Sequence, residues 1–319
     1  MLLFSAKISV WWRMYLLLYY MQYVMGWLLH PFFPACAYEL RWLARIKIGR
    51  RVYEGKFLSY KNPKDFNEKL HWLNKYWPNP LITTCADKYA VRDYVKQCGC
   101  EVLLNELYGV FDRVKDVDFD VFPSQFVLKC THGYGYNIIC RDKQALDISR
   151  TRKKMQAWMA TDYAEKSGER QYHGIAPRII CERYLETSPH EALIDYKIHC
   201  FNGNPTCCLV CAERSLVNHA PAYKAVYSLE WERLHFYRKE KEGDIPKPDS
   251  LPDMIAYARK LSQPFPYVRV DFLYVEGQLF LSELTFTPAG NNQPYTDETL
   301  IQIGDKLVLP PKYSAGRTW

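Results

Sequence analysis

Apolar positions along the chain change period several times, and the changes mark its elements. From Met14 to Leu29 the sequence reads MYLLLYYMQYVMGWLL, broken only by Gln22. Trp11, Tyr15, Tyr19, Tyr23 and Trp27 recur at every fourth position, which lines them along one side of a helix while leucines take the other sides. A helix apolar nearly all round belongs in a core or against lipid. Residues 62–77 carry Phe66, Leu70, Leu73 and Trp77 at helical spacing behind the capping pattern Asp65-x-x-Glu68, with Pro78 and Pro80 to stop it. Residues 85–98 read as a second helix and 101–111 as a strand with its continuation. The period then shortens. Gln125–Cys130 and Ile138–Cys140 flank a glycine-bearing loop, and 178–185 is an apolar strand. Ile194–Phe201 and Thr206–Cys211 flank Asn202-Gly203, and Val268–Tyr274 and Gln278–Leu284 flank Glu276-Gly277. These are hairpin signals. Residues 145–162 read as a basic amphipathic helix and 251–263 as a further helix. The whole is α+β with antiparallel hairpins and no βαβ alternation.

The amino-terminal run admits three readings: association with a membrane or a membrane partner, packing against the body, or a signal peptide cleaved near Ala35-Cys36-Ala37. A spanning helix needs about 20 apolar residues. Trp and Tyr favour the membrane interface. Arg41, Arg45, Lys47, Arg50 and Arg51 follow as a cationic flank, which suits anionic headgroups. The expected location is cytoplasmic, at the inner membrane face, with residues 1–51 meeting the membrane.

Composition adds limits. Apolar residues make up 48% and charged residues 24% of 319, which excludes wholesale disorder. The net charge of +7 favours anionic partners. Eleven cysteines include Cys208-x-x-Cys211, but no second pair completes a zinc site; reduced, buried thiols fit a reducing compartment.

Candidate chemistry lies on the strands. Asp271 and Glu283 sit on the two arms of the last hairpin among apolar neighbours. Unpaired charge is costly there. Two readings stand: Arg269 pairs structurally with Asp271, leaving Glu283 at the sheet edge, or both carboxylates hold Mg²⁺. Lys129 ends a strand just before Thr131-His132-Gly133-Tyr134-Gly135, an arrangement suited to phosphate. His132 reads as a general base or as ordinary polar surface. Asp195 and Lys197 share one strand face with His199, as a surface ion pair or a site. No nucleophile elbow, zinc-protease helix or kinase loop is present, and the basic residues form no nucleic-acid array.

The order of these pieces resembles the ATP-grasp superfamily, and more closely its TupA-like branch of teichuronopeptide and polysaccharide biosynthesis. The segments that carry it are FNEKLHWL (66–73), DKYAVRDYV (87–95), FVLKCTHGYGYN (126–137), RIICERYLE (178–186), DYKIHCFNGNP (195–205) and VRVDF with LSELTF (268–286). The resemblance implies a nucleotide held between two subdomains. It divides the chain into a helical extension (1–60), a first part of the body (61–124), a flap and hinge (125–190) and a metal-binding part with its tail (191–319). ATP would meet Lys88, Lys129, His132, Gly133, Gly135, Glu182, Arg183, Tyr184, Leu185 and Asp195. Mg²⁺ would meet Asp271 and Glu283. Lys197, Arg269 and Arg214 would act at the transferred phosphate or the acceptor. Two departures stand out: Thr285 where an asparagine ligand is usual, and Tyr134 and Tyr136 in the flap. The implied activity is carboxylate–amine ligation through an acyl phosphate, joining an acidic glycan or small acid to an amine. A glycosyltransferase or other sugar-modifying enzyme on this fold, and a non-catalytic nucleotide-binding scaffold, are the other two readings.

Overall fold

The computed structural model describes residues 10–29, 59–185, 193–214, 221–237 and 243–313. The cationic flank from Arg41 to Arg51, the Ala35-Cys36-Ala37 site and the side chain of Arg214 lie outside the described residues. Helix α1 (Val10–Leu29) forms where the apolar run predicts it. Among the described residues no helix is long and apolar enough to cross a membrane.

Two antiparallel sheets build the body. Strands β1 (Leu107–Phe111), β2 (Phe126–Cys130), β3 (Asn137–Cys140) and β4 (Ile179–Arg183) form a sheet ordered β1-β4-β2-β3. The second sheet holds β5 (Asp195–Phe201), β6 (Asn204–Arg214), β7 (Pro221–Ser228), β8 (Arg233–Leu234), β9 (Tyr267–Val275) and β10 (Gln278–Thr285), in the order β10-β9-β5-β6-β7-β8. The three expected hairpins are β2–β3, β5–β6 and β9–β10. Asn202 and Gly203 turn the β5–β6 hairpin with φ of 50° and 78°, the positive values a two-residue turn needs.

Helix α2 (Phe66–Tyr76) starts at Asp65, whose carboxylate accepts from the Glu68 N–H at 2.8 Å. Its Phe66 and Leu70, with Trp77 just beyond it, enter the large core beneath the six-stranded sheet. The predicted helix over 85–98 holds only from Val91, and its first two residues end a preceding helix. Asn79 caps α3 (Pro80–Ala86), with Pro80 in its first turn. The proline expected to end one helix therefore also begins the next. The chain breaks at Asp87, whose Oδ1 accepts from the Tyr89 and Ala90 N–H groups at 2.8 and 3.2 Å, and α4 (Val91–Gln97) follows. That break sets Lys88 on a turn. Helix α5 (Ile148–Met159) covers the four-stranded sheet with Met155. A short α6 (Tyr163–Ser167) comes after it. Helix α7 (Leu251–Ser262) packs on β5, β6 and β9, and α8 (Asp297–Lys306) on α2. Strands β7 and β8 and helices α6 and α8 are additions to the elements read from the pattern.

Cys208 faces the large core and Cys211 the opposite side of β6, because residues three apart on a strand point to opposite faces. The CxxC spacing therefore makes no ligand pair.

Candidate active site

The large sheet carries a row of ionisable groups across three strands. Lys197 on β5 pairs in register with Asp271 on β9, and Asp271 pairs with Glu283 on β10. One step along, His199, Arg269 and Thr285 form a second row. Directly opposed residues share a face, so six polar side chains lie on one side of the sheet. Ile198, Val270 and Leu284 fill the apolar core on the other. Register here depends on a bulge. Leu281 pairs with Phe272 but Glu283 pairs with Asp271, so Ser282 is an extra residue. Were Ser282 paired regularly, it would oppose Asp271, and Glu283 would oppose Val270 and point into the core, because a one-residue slip reverses every side chain.

Asp271 is fully buried and surrounded by donors. Arg269 Nε donates to Oδ1 and Nη2 to Oδ2, both at 2.7 Å, and Lys197 Nζ donates to Oδ2 at 2.6 Å. Burial alone would raise its pKa, but the two cations hold it down to about 2. Burial would lower the Lys197 pKa; Asp271, Asp195 and Glu283 outweigh that and raise it. Asp195 Oδ1 lies 3.7 Å from Lys197 Nζ, and both residues are buried. The surface ion pair is thus corrected to a buried one, since β5 is central and covered on both faces. His199 is held neutral. Burial and the Arg269 charge push its pKa to about 3, while Nδ1 lies 3.0 Å from the Tyr267 hydroxyl.

The small sheet brings a second set of cations. Lys129 Nζ is 2.6 Å from Glu182 Oε2, whose other oxygen is 3.4 Å from Arg92 Nη1. Lys88 Nζ donates to the Gly133 carbonyl. Its turn is fixed from below by Arg178, 2.8 Å from Asp87 Oδ2. Burial lowers the Lys88 pKa against the pull of Glu283, and Lys129 adds to the lowering.

The loop between β2 and β3 is anchored at its base. Tyr136 stacks on Trp158 at 5.1 Å and meets Tyr163 edge-on at 5.4 Å. A Cβ on Gly133 would come within 2.7 Å of the Tyr163 ring, so only glycine passes there. Tyr134 projects outward, 61% exposed, beside Gly135 at φ 77°. The two flap tyrosines are therefore unlike: one is a root, the other a tip. His132 is buried, with Nε2 3.0 Å from the Trp158 carbonyl. That corrects the polar-surface reading. Its pKa is lowered by burial.

Beyond Glu182, the Arg183 carbonyl accepts from Asn105 Nδ2 at 2.8 Å, and its N–H donates to the Glu106 carbonyl at 3.0 Å. The Arg183 guanidinium lies over Phe280 of β10 at 5.4 Å. Arg141 Nε donates to the Tyr184 hydroxyl at 3.1 Å, and Leu185 is half-buried at the strand's end.

Three neighbours escaped the sequence reading. Thr287 donates to Glu169 Oε1 at 2.6 Å and accepts from Gln171 Nε2 at 2.5 Å. Burial raises the Glu169 pKa, with Glu283 adding to it. Residues 163–177 follow no apolar period, so nothing in the pattern singled them out.

The donor set suits Mg²⁺ carrying phosphates. Mg²⁺ keeps several waters and takes one or two carboxylates plus phosphate oxygens, not an all-protein cage. Correspondingly, among the described residues no three His, Cys, Asp or Glu side chains cluster as a metal site. Glu283 offers Oε2, because the Thr285 hydroxyl donates to Oε1 at 3.0 Å. Asp271 already accepts three hydrogen bonds at about four acceptor sites, so Glu283 is the more open ligand. Thr285 also accepts from Arg269 Nη2 at 3.2 Å, which commits its hydroxyl.

Residues 68–308 match the family model described as TupA-like ATPgrasp. Among solved structures, the chain is similar to an L-amino acid ligase from Bacillus licheniformis at 12% identity, covering 77% of this chain and 55% of that one, with a TM-score of 0.47. It is also similar to a D-alanine–D-alanine ligase from Bacillus anthracis complexed with ATP, at 14% identity, 70% and 61% coverage and a TM-score of 0.43. A third is the ATP-grasp ligase PsnB complexed with minimal precursor, Mg and ADP, at 14% identity, 75% and 64% coverage and a TM-score of 0.38. The chain thus spans less than two thirds of the length of each of these. No curated protein matches it. The family match covers three quarters of the sequence, and the chain belongs to the TupA-like ATP-grasp family.

Proposed function

We propose that the protein is an ATP-dependent carbon–nitrogen ligase using Mg²⁺, which joins a carboxylate of a surface polysaccharide or its precursor to an amine. The observation that carries this reading is the row of Lys197, Asp271 and Glu283 abreast on three strands. In the proposed reaction a substrate carboxylate oxygen bonds to the γ-phosphorus of ATP and ADP leaves. An amine nitrogen then bonds to the acyl carbon, phosphate leaves, and the amine's proton passes to solvent.

Mg²⁺, when bound, neutralises charge on the phosphates. Lys88 and Lys129 bring cations to the phosphate chain, where positioning and electrostatics do most of the catalysis. Lys197 and Arg269 stay charged through contact with Asp271 and face the same side as Glu283. Held in a buried network, they need little rearrangement as negative charge builds up. The net charge of +7 supports an acidic acceptor such as a uronic-acid glycan.

The test incubates the full chain with Mg-ATP, uronates and amino acids and follows ADP and phosphate. The account expects release that depends on both co-substrates and is lost in Glu283→Gln. Consumption of a nucleotide sugar without ATP hydrolysis would move the assignment to a sugar transferase. ATP binding without turnover for any acceptor would favour a scaffold.

A further inference from the structure

Helix α1 has a face that the body of the protein leaves open. Leu17, Leu18, Met21, Val24, Met25 and Leu28 are 57%, 63%, 54%, 37%, 47% and 64% exposed. At 3.6 residues per turn these six fall within an arc of about 120°. This is the width of an apolar stripe that a helix normally buries. Gly26 on the opposite side is buried, and Gln22 and Tyr23 are half-buried. The six are apolar, and Tyr20 and Trp27, 61% and 53% exposed, continue the open side beyond Val24. An apolar surface of this extent marks an interaction site.

Charge decides between occupants. Between Glu39 and Arg51 the sequence holds Arg41, Arg45, Lys47, Arg50 and Arg51 against the single acid Glu39. A second copy would carry the same basic sequence and offer it no opposite charge. An anionic bilayer offers the opposite sign, worth about 1 kcal/mol per basic residue near the surface. Tyr20, on the arc's flank, is 61% exposed, and tyrosine favours the headgroup level. The helix is not apolar enough to cross, so it would lie along the bilayer with its arc inward. We infer that α1 and the basic segment after it seat this protein on an anionic lipid surface.

The test is co-sedimentation of the full chain with vesicles of phosphatidylcholine alone and of phosphatidylcholine mixed with phosphatidylglycerol. Expected is binding to the mixed vesicles that weakens about tenfold or more without the anionic lipid or at high salt. Leu18→Asp with Leu28→Asp should weaken it by about tenfold or more, given the cost of taking a charge into the apolar layer. The thermal transition of the body should not move. Arg45→Glu with Arg50→Glu should remove the preference for anionic lipid while the arc stays intact. Failure to sediment with either vesicle would overturn the inference. Equal binding by the Leu18 and Leu28 variant would do the same. So would a dimer in light scattering that this variant dissociates, since the arc would then be a subunit interface.

Discussion

The two sheets hold their charges differently. On the six-stranded sheet, Asp271 is enclosed by Arg269 and Lys197 in three short bonds, with no exposure at all. On the four-stranded sheet, Lys129 keeps 26% of its side chain exposed beside Glu182, and Lys88 rests on a backbone carbonyl of the flap. The first set is a fixed foundation and the second is within reach of a ligand. Substitutions in the first should therefore cost stability, and those in the second should cost binding. The predictions below press on that contrast.

The largest effect is expected from Asp271→Asn. It takes the nearest counter-charge from two buried cations, leaving them only Asp195 and Glu283 at 3.7 Å, and breaking a buried ion pair costs about 3–5 kcal/mol. Urea unfolding checks it; a loss below about 1 kcal/mol would mean the cluster is not the foundation described.

Acidification should act through His199 before it acts through Asp271. The unfolded chain takes up a proton at His199 near the ordinary value of 6.5, whereas the folded protein does so only near 3. The unfolded state thus binds more protons in between. Stability is full above about pH 6.5 and falls by about 1.4 kcal/mol per pH unit below it. Asp271 is also depressed, to about 2 from 3.8, so its share is lost only below about pH 4. Unfolding free energies at pH 7 and 5 should differ by about 2 kcal/mol, and His199→Gln should flatten the difference. An unchanged slope in that variant would assign the acid sensitivity elsewhere.

Gly133→Ala should cost about 1–3 kcal/mol by forcing Tyr163 aside, with a matching loss of flap order in hydrogen exchange. Tyr134→Ala, at the exposed tip, should leave stability within about 0.5 kcal/mol. Equal costs at the two positions would remove the distinction between root and tip.

Much of this was legible in the sequence for a physical reason. The hairpins announce themselves because period-two alternation meets turn residues that accept positive φ, as at Asn202-Gly203. Lys129 stands out in the sequence because it ends a strand before a glycine loop, and Asp271 and Glu283 because charge among apolar strand residues is costly. The Ser282 bulge was not legible, since one extra residue leaves the alternation nearly intact while reversing a face. Asp87 was hidden within an apparent helix, and its capping role emerges only with Arg178 opposite it. Glu169 sits in a segment without periodicity, and only its contact with Thr287, 118 residues away, brings it to the site.

The smallest effect on stability and the largest on binding should meet at Lys129. Calorimetric titration of a non-hydrolysable ATP analogue with Mg²⁺, on the full chain and on Lys129→Met, tests the central claim most directly. The account predicts saturable binding that weakens about tenfold or more in the variant, since a charge-assisted contact is worth about 1.5–3 kcal/mol. The thermal transition should move little. Absence of binding by the unsubstituted chain, or equal affinity in Lys129→Met, would contradict it.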